Sequence, residues 1–361
     1  MWGIPPENLC GPEGGLCLPA GCQPVATIKN FETHMNQPLK DATVLVTGGA
    51  GLIGSHIVDC LADAGVGEIR VLDNLVRGRL DNLERASARH PVKFIQGDVR
   101  DRTAVAEAVG GCDYVFHEAA IRITLCAEQP RECIDVLVTG ALNVFEAAAN
   151  AGVRKVVYAS SASIYGPADV FPTHERHHPY NNRTLYGAAK LMDEGIACHF
   201  FDQRGLRSIG LRYFNVYGPR MDVTGAYTEV FVRWLDCIDK GERPHIYGDG
   251  STTMDTVYVG DVARANILAA EADQDFGAYN IAGGRETSLL DLWRTMLKIT
   301  GAGHIEPEFH PPRMVNLAAR RLADVERARK DLGFVAEVPL EEGLRRLQAW
   351  RRQVLASAAT A

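Results

Sequence analysis

Two polar side chains set four residues apart carry the sharpest chemical signal in the chain. Tyr186-Gly187-Ala188-Ala189-Lys190 puts a phenol and an ammonium on one face of a helix. A free tyrosine ionises near pH ~10, and an adjacent ammonium stabilises the phenolate and lowers that value. Such a tyrosine takes the proton from a hydroxyl while a hydride leaves the same carbon. Ser160-Ser161-Ala162-Ser163-Ile164-Tyr165-Gly166 closes an apolar run that reads as a buried strand, with Ser161 lying 25 positions before Tyr186. Ligands of open parallel sheets gather at strand ends, so Ser161 is expected to hold the reacting oxygen for Tyr186.

A departing hydride needs an acceptor, and an earlier segment offers a place for one. Thr47-Gly48-Gly49-Ala50-Gly51-Leu52-Ile53-Gly54 follows a β-rich run and opens a helical pattern. Gly48 permits the tight turn, Gly51 lets the backbone approach a pyrophosphate, and Gly54 lets helix and sheet pack closely. The phosphates then rest on the helix N-terminus, at Leu52 and Ile53. Asp73 falls about 20 residues after the glycines, where a carboxylate binds ribose hydroxyls. It also repels a 2′-phosphate and so favours NAD over NADP, although Arg77 and Arg79 stand close by. Asn74, Asp98 and Val99, following the second and third β-rich runs, are expected along the ribose and adenine.

Short β-rich runs alternate with helical patterns from Ala42 onward. The runs are Thr43–Thr47, Glu68–Leu72, Val92–Gln96, Tyr114–His117, Lys155–Ala159 and Arg207–Leu211; the helices fall near Leu52–Ala64, Arg102–Val109, Arg131–Asn150 and Tyr186–Gln203. This alternation predicts an α/β fold, a Rossmann doubly wound parallel sheet with helices on both faces. Three regions are expected: an extension over 1–40 rich in Pro and Gly, an NAD-binding domain over 41–215, and a smaller mixed α/β substrate lobe over 216–355, some of whose segments return to the first domain.

Composition narrows the function classes. The chain has 361 residues and a formal net charge of −7. The acidic balance argues against nucleic-acid binding. No apolar run approaches the roughly 20 residues that a membrane helix needs, and residues 1–20 lack the pattern of a secretory signal. Nine cysteines, most of them isolated in apolar stretches, suit free thiols in a reducing compartment. A soluble, cytoplasmic protein is expected. His174-Glu175-Arg176-His177-His178 invites a metal reading, but no cysteine or carboxylate cluster in the neighbouring sequence completes a tetrahedral set. A substrate-side loop without metal is the expectation.

These motifs resemble the extended short-chain dehydrogenase/reductase family, and within it the NAD-dependent nucleotide-sugar epimerases and dehydratases. The resemblance runs from about Thr43 to Leu344 and includes His117-Glu118-Ala119-Ala120, Leu211-Arg212-Tyr213-Phe214-Asn215-Val216-Tyr217-Gly218-Pro219-Arg220 and Ile246-Tyr247-Gly248-Asp249-Gly250. It implies catalytic Tyr186 and Lys190 assisted by Ser161, cofactor contacts from Ala119, Ala120 and Tyr213, and substrate contact from Asn215. It also implies a homodimer formed by the helices Arg131–Asn150 and Tyr186–Gln203.

Within such a family the turn after Ser161 discriminates between reactions. Dehydratases and decarboxylases of this kind carry acids at the positions of Ala162 and Ser163, and this chain carries none there. What remains is reversible oxidation at C4 of a nucleotide-diphosphate sugar, a 4-epimerase. The alternatives are a dehydrogenase or ketoreductase that releases reduced cofactor, a dehydratase, and a cofactor-binding sensor without chemistry. Met254 stands where relatives carry a phosphate-gripping arginine, so Arg220 and Arg313 are the candidate substitutes. Arg122 and Ser163 are expected to face the sugar.

Overall fold

The computed structural model describes residues 39–223, 229–303, 305–311 and 318–360. The extension over 1–40, apart from its last two residues, and Arg313 lie outside the described residues. Along the chain the strands are β1 (Thr43–Thr47), β2 (Glu68–Asp73), β3 (Val92–Gln96), β4 (Tyr114–His117), β5 (Lys155–Ser161), β6 (Ser208–Tyr213), β7 (Asn215–Tyr217), β8 (His245–Tyr247), β9 (Thr253–Tyr258), β10 (Phe276–Ile281), β11 (Glu286–Ser288) and β12 (Glu308–His310).

Seven of them form one parallel sheet in the order β10-β6-β5-β4-β1-β2-β3. Its strands are apolar throughout because both faces are covered by helices. Along β1, Val44 and Val46 pack with Ile57 and Leu61 of the helix Leu52–Ala64, whereas Leu45 packs with Val115, Phe145 and Phe200 on the opposite face. Each such side chain, fully buried, contributes about 1.5–3 kcal/mol. The chain proceeds outward from β1 through β2 to β3, then resumes on the other side at β4. That reversal opens a crevice at the carboxyl ends of β1 and β4, the place where doubly wound sheets take their ligands. β10 joins the sheet from late in the chain. The remaining strands form two small sheets, β11-β9-β7 and β12-β8, over a separate core in which Trp234 meets Trp293 edge-to-face at 5.6 Å. Among the described residues no helix is long and apolar enough to cross a membrane.

Several boundaries differ from the sequence reading, and those of β5, β6 and the helix expected over Arg131–Asn150 bear on the site. β5 continues to Ser161 and β6 to Tyr213, so these residues are register neighbours at the sheet's carboxyl edge. The expected helix Arg131–Asn150 is instead an α-turn Pro130–Cys133, a π-helical run Ile134–Thr139 and an α-helix Gly140–Ala151. The wider turns absorb residues that a 3.6-residue period does not register. Gly140 meets Val99 there, and a Cβ would lie 2.7 Å from its Cγ2.

His117, at the end of β4, is sealed in the sheet with Nδ1 2.8 Å from Thr47 Oγ1. Burial, helped by the Lys190 charge, lowers its pKa to about 3. The unfolded chain therefore takes up a proton near pH ~6.5 that the native state refuses. Stability present above that pH is lost as pH falls toward about 3, at up to ~1.4 kcal/mol per pH unit. Burial holds His56 down to about 3 as well, so thermal melts between pH 7 and 4 are expected to show both contributions and His117→Gln is expected to remove about half of the slope.

Candidate active site

Local packing explains how Tyr186 meets Ser161. Thr184 caps the helix Leu185–Arg204, its hydroxyl accepting from Gly187 N at 3.0 Å. A Cβ on Gly187 would lie 2.5 Å from both Ser163 O and Asn182 Oδ1, so only glycine lets this first turn lie so close to the 3₁₀ turn Ala162–Tyr165. Ser161 leads into that turn, its hydroxyl accepting from Ser163 N at 3.1 Å, and it also hydrogen-bonds Tyr186. A polar network braces the turn from beneath. Ser160 donates to Glu194 (2.6 Å), Tyr165 donates to Asn280 Oδ1 (2.7 Å), and Arg212 grips Glu194 with two nitrogens (2.8 and 2.6 Å).

Lys190 lies one helical turn beyond Tyr186 and is 2% exposed. Its ammonium donates to Ala159 O (2.8 Å) and Asp193 Oδ2 (3.1 Å). Burial alone would depress its pKa, but Asp193, Tyr186 and Glu118 outweigh burial and hold it above the ordinary lysine value. For Tyr186 the Lys190 charge acts downward, as expected. Burial pushes the phenol up, and Lys190 and Ser161 offset only part of that. Asp193 escaped the sequence reading although its signal was local, a carboxylate three residues after the lysine on the same helix.

The cofactor candidates cluster at the crevice between β1 and β4. The helix Leu52–Ala64 begins after Gly51 with no side-chain cap and no acid in its first turn, which leaves the N–H groups around Leu52 and Ile53 for an anion. Gly48 lies against Ala119, where a Cβ would meet backbone at 2.8 Å; at Gly54 it would lie 2.3 Å from Gly48 O. Asp73 accepts from Ala50 N (3.0 Å) and Leu75 N (2.8 Å), tying the end of β2 to the glycine loop. Asn74 and Asp98 meet at 2.8 Å, and Arg100 also grips Asp98; that pairing holds the Asp98 carboxyl well below the usual carboxylate range. Val99 is buried, its carbonyl taken by Asn143 at 2.9 Å. Ala120 is exposed at the crevice.

Tyr213 is buried at the end of β6; its hydroxyl donates to Glu118 Oε1 (3.0 Å) and accepts from Asn266 (2.8 Å). Burial raises the Glu118 carboxyl to about 8, and its Oε2 is sealed without a partner. Neither Glu118 nor Asn266 was singled out from sequence as a site residue, because their meeting with Tyr213 joins three distant segments.

The substrate candidates separate. Ser161 and Ser163 stand beside Tyr186. Asn215 opens β7, its buried Oδ1 without a hydrogen-bond partner among the described residues. Arg122 lies 3.4 Å from Asp222. Arg220, in a left-handed conformation (φ 69°), pairs instead with Asp59 of the helix Leu52–Ala64 at 2.8 Å. The histidine loop gains a carboxylate that its local sequence hid, since Asp169 lies 2.5 Å from His177 Nε2 and 3.4 Å from His178 Nε2. The hydrogen bond with His177 holds the Asp169 carboxyl below its ordinary value.

A profile of the NAD dependent epimerase/dehydratase family matches residues 44–282. The UDP-glucose 4-epimerase of Mycolicibacterium smegmatis is 37% identical over 83% of this chain and 95% of its own length. The crystal structure of UDP-glucose 4-epimerase with UDP-glucose from Thermotoga maritima matches at 36% identity and a TM-score of 0.81, covering 87% of this chain and 99% of that one. The UDP-N-acetylglucosamine 4-epimerase from Methanobrevibacter ruminantium, solved with UDP-N-acetylmuramic acid, matches at 32% identity and a TM-score of 0.82, covering 87% and 99%.

Asp193→Asn would leave Lys190 with an uncompensated buried charge. Breaking such a pair costs about 3–5 kcal/mol, to be read as a lowered melting temperature. Removing the anion also removes a charge that raises Tyr186, so the acid limb of the pH–rate profile is expected to move to lower pH.

Proposed function

The chain belongs to the NAD-dependent epimerase/dehydratase family, and from that membership we propose that it is a nucleotide-diphosphate-sugar 4-epimerase. One observation carries the choice of reaction: Tyr186, one helical turn from Lys190, meets Ser161 at the head of a turn, Ala162–Tyr165, that bears no acid. The carboxylates that approach it are engaged elsewhere, Asp193 with Lys190, Glu118 with Tyr213 and Glu194 with Arg212. Elimination and decarboxylation lack an obvious acid–base pair here, whereas oxidation followed by reduction at one carbon needs only the tyrosine.

NAD, the family's cofactor, supplies the reversible hydride acceptor and, when oxidised, a positive charge beside the phenol. Gly48, Gly51, Leu52, Ile53 and Gly54 would hold its pyrophosphate, Asp73 its ribose, and Asn74, Asp98 and Val99 its adenosine end. Ala119, Ala120 and Tyr213 would line the nicotinamide side, with Lys190 orienting the second ribose. Tyr186 takes the proton from the sugar's 4-hydroxyl and Ser161 holds that oxygen. After the keto sugar turns over in the pocket, Tyr186 returns the proton to the new epimer. Arg122, Ser163 and Asn215 would position the sugar nucleotide. A uridine base and a hexose are the reading that the relatives' own substrates support.

Tyr186→Phe is expected to lower kcat by roughly 10²–10⁴, the range of general acid–base catalysis, while bound NAD remains measurable after denaturing release. Epimers resolved by chromatography, with no net rise in NADH absorbance, would support epimerisation; stoichiometric NADH release would overturn it in favour of a dehydrogenase.

We also propose a homodimer through the two helices beside the site. Ile134, Leu142, Leu191 and Met192 are all exposed on the segments Ile134–Ala151 and Leu185–Arg204, an apolar face that a second copy would cover. Light scattering is expected to give twice the chain mass, and Leu191→Glu with Met192→Glu is expected to give monomers.

A further inference from the structure

Two consecutive arginines near the end of the lobe have opposite surroundings. Arg320 grips Glu286 with two nitrogens (2.7 and 2.9 Å) and lies over the Phe171 ring at 4.5 Å. Arg321 has no carboxylate partner among the described residues. Its side chain makes one hydrogen bond, from Nη1 to Ala162 O at 3.3 Å. The backbone around it is pinned to β9: Thr253 N donates to Ala319 O (3.0 Å), Arg321 N donates to Thr253 Oγ1 (3.3 Å), and Ala323 N donates to Asp255 (3.0 Å). The guanidinium is thus delivered by a fixed segment to the backbone carbonyl of Ala162, the residue between Ser161 and Ser163.

A partly desolvated cation is stabilised by a paired anion, and Arg321 is half-buried. Burial lowers its pKa to about 10, which still leaves it charged at neutral pH. With Nη1 on Ala162, the remaining N–H groups form a planar fork that matches a carboxylate. A neutral hydroxymethyl group would leave the charge unpaired.

We propose that Arg321 determines substrate specificity by pairing with a carboxylate on the sugar ring, so that the substrate class is a nucleotide-diphosphate uronic acid. This rests on the 4-epimerase reading above and adds the sugar's chemical class to it. The anion that answers Arg321 is the sugar's own carboxylate rather than the diphosphate, because the guanidinium sits one residue from the serine that serves the reacting oxygen.

The test compares the holoenzyme with Arg321→Gln and Arg321→Lys on UDP-glucuronate and UDP-galacturonate, on UDP-glucose and UDP-galactose, and on UDP alone. Wild type is expected to epimerise the uronates with a kcat/KM at least ~100-fold above the neutral pair, a discrimination of the size that a buried unpaired polar group enforces. Arg321→Gln is expected to bring that ratio within ~10-fold, Arg321→Lys to give an intermediate ratio, and UDP affinity by calorimetry to stay unchanged in both. Equal efficiency on the two pairs, a ratio untouched by Arg321→Gln, or failure of either uronate to bind overturns the proposal. A loss of UDP affinity matching the loss for uronates assigns Arg321 to the diphosphate and also overturns it. If wild type binds the uronates in an Arg321-dependent way yet epimerises neither pair, the 4-epimerase reading fails and the recognition of an acidic sugar stands.

Discussion

A charged ammonium sealed inside the sheet–helix interface is the constraint on which the site depends. Burying Lys190 would cost several kcal/mol if its charge went unanswered. The fold meets that cost with a backbone carbonyl from β5 and a carboxylate one turn further along the same helix. The helix Leu185–Arg204 must therefore lie in one rotation and one height against β5. Tyr186 belongs to the same rigid helix, so fixing the lysine fixes the phenol. Gly187 then decides how near the phenol comes to Ser161, since any side chain there would strike Ser163 O.

The crevice follows from topology rather than from any single residue. With β4 on the far side of β1 from β2, the loops after β1 and β4 diverge and leave the glycine turn beside Ala119. The uncapped N-terminus of the helix Leu52–Ala64 is poised there for an anion, and Asp73 ties the neighbouring strand end to the same loop. Glu118 and Asn266 brace Tyr213 along one wall. Burial pushes the Glu118 carboxyl up, and its hydrogen bond with Tyr213 fixes that ring against the wall.

What could be read from sequence was what is periodic or local. The alternation of β-rich runs with helical patterns gave the doubly wound sheet because each element carries its own pattern, and Tyr186 with Lys190 was legible because a helix puts residues four apart on one face. Contacts joining distant segments were not legible. Glu118 meets Tyr213 across 95 positions and Arg321 meets Ala162 across 159, and neither pairing leaves a local spacing. Arg220 shows another contact that local sequence does not reveal. Its type suits phosphate, but a left-handed backbone turns it toward Asp59. The π-helical run Ile134–Thr139 was hidden because an apolar stripe looks much the same at either helical pitch.

Charge placement unites the sheet and the lobe. The chain is acidic overall, at −7, yet it would have to admit an anionic sugar nucleotide. Net charge acts over distances that salt screens beyond roughly 8–10 Å, so capture falls to the groups lining the cleft. There the acids are spent on internal partners: Glu194 on Arg212, Asp193 on Lys190, and Asp98 on Arg100 and Asn74. Arg320 is neutralised by Glu286 while Arg321, the next residue, is left unanswered. Pinning the segment of both arginines to β9 while only Arg320 meets a carboxylate among the described residues holds the Arg321 guanidinium at Ala162. If the proposed pairing holds, ligand charge as well as shape would decide what sits beside Tyr186.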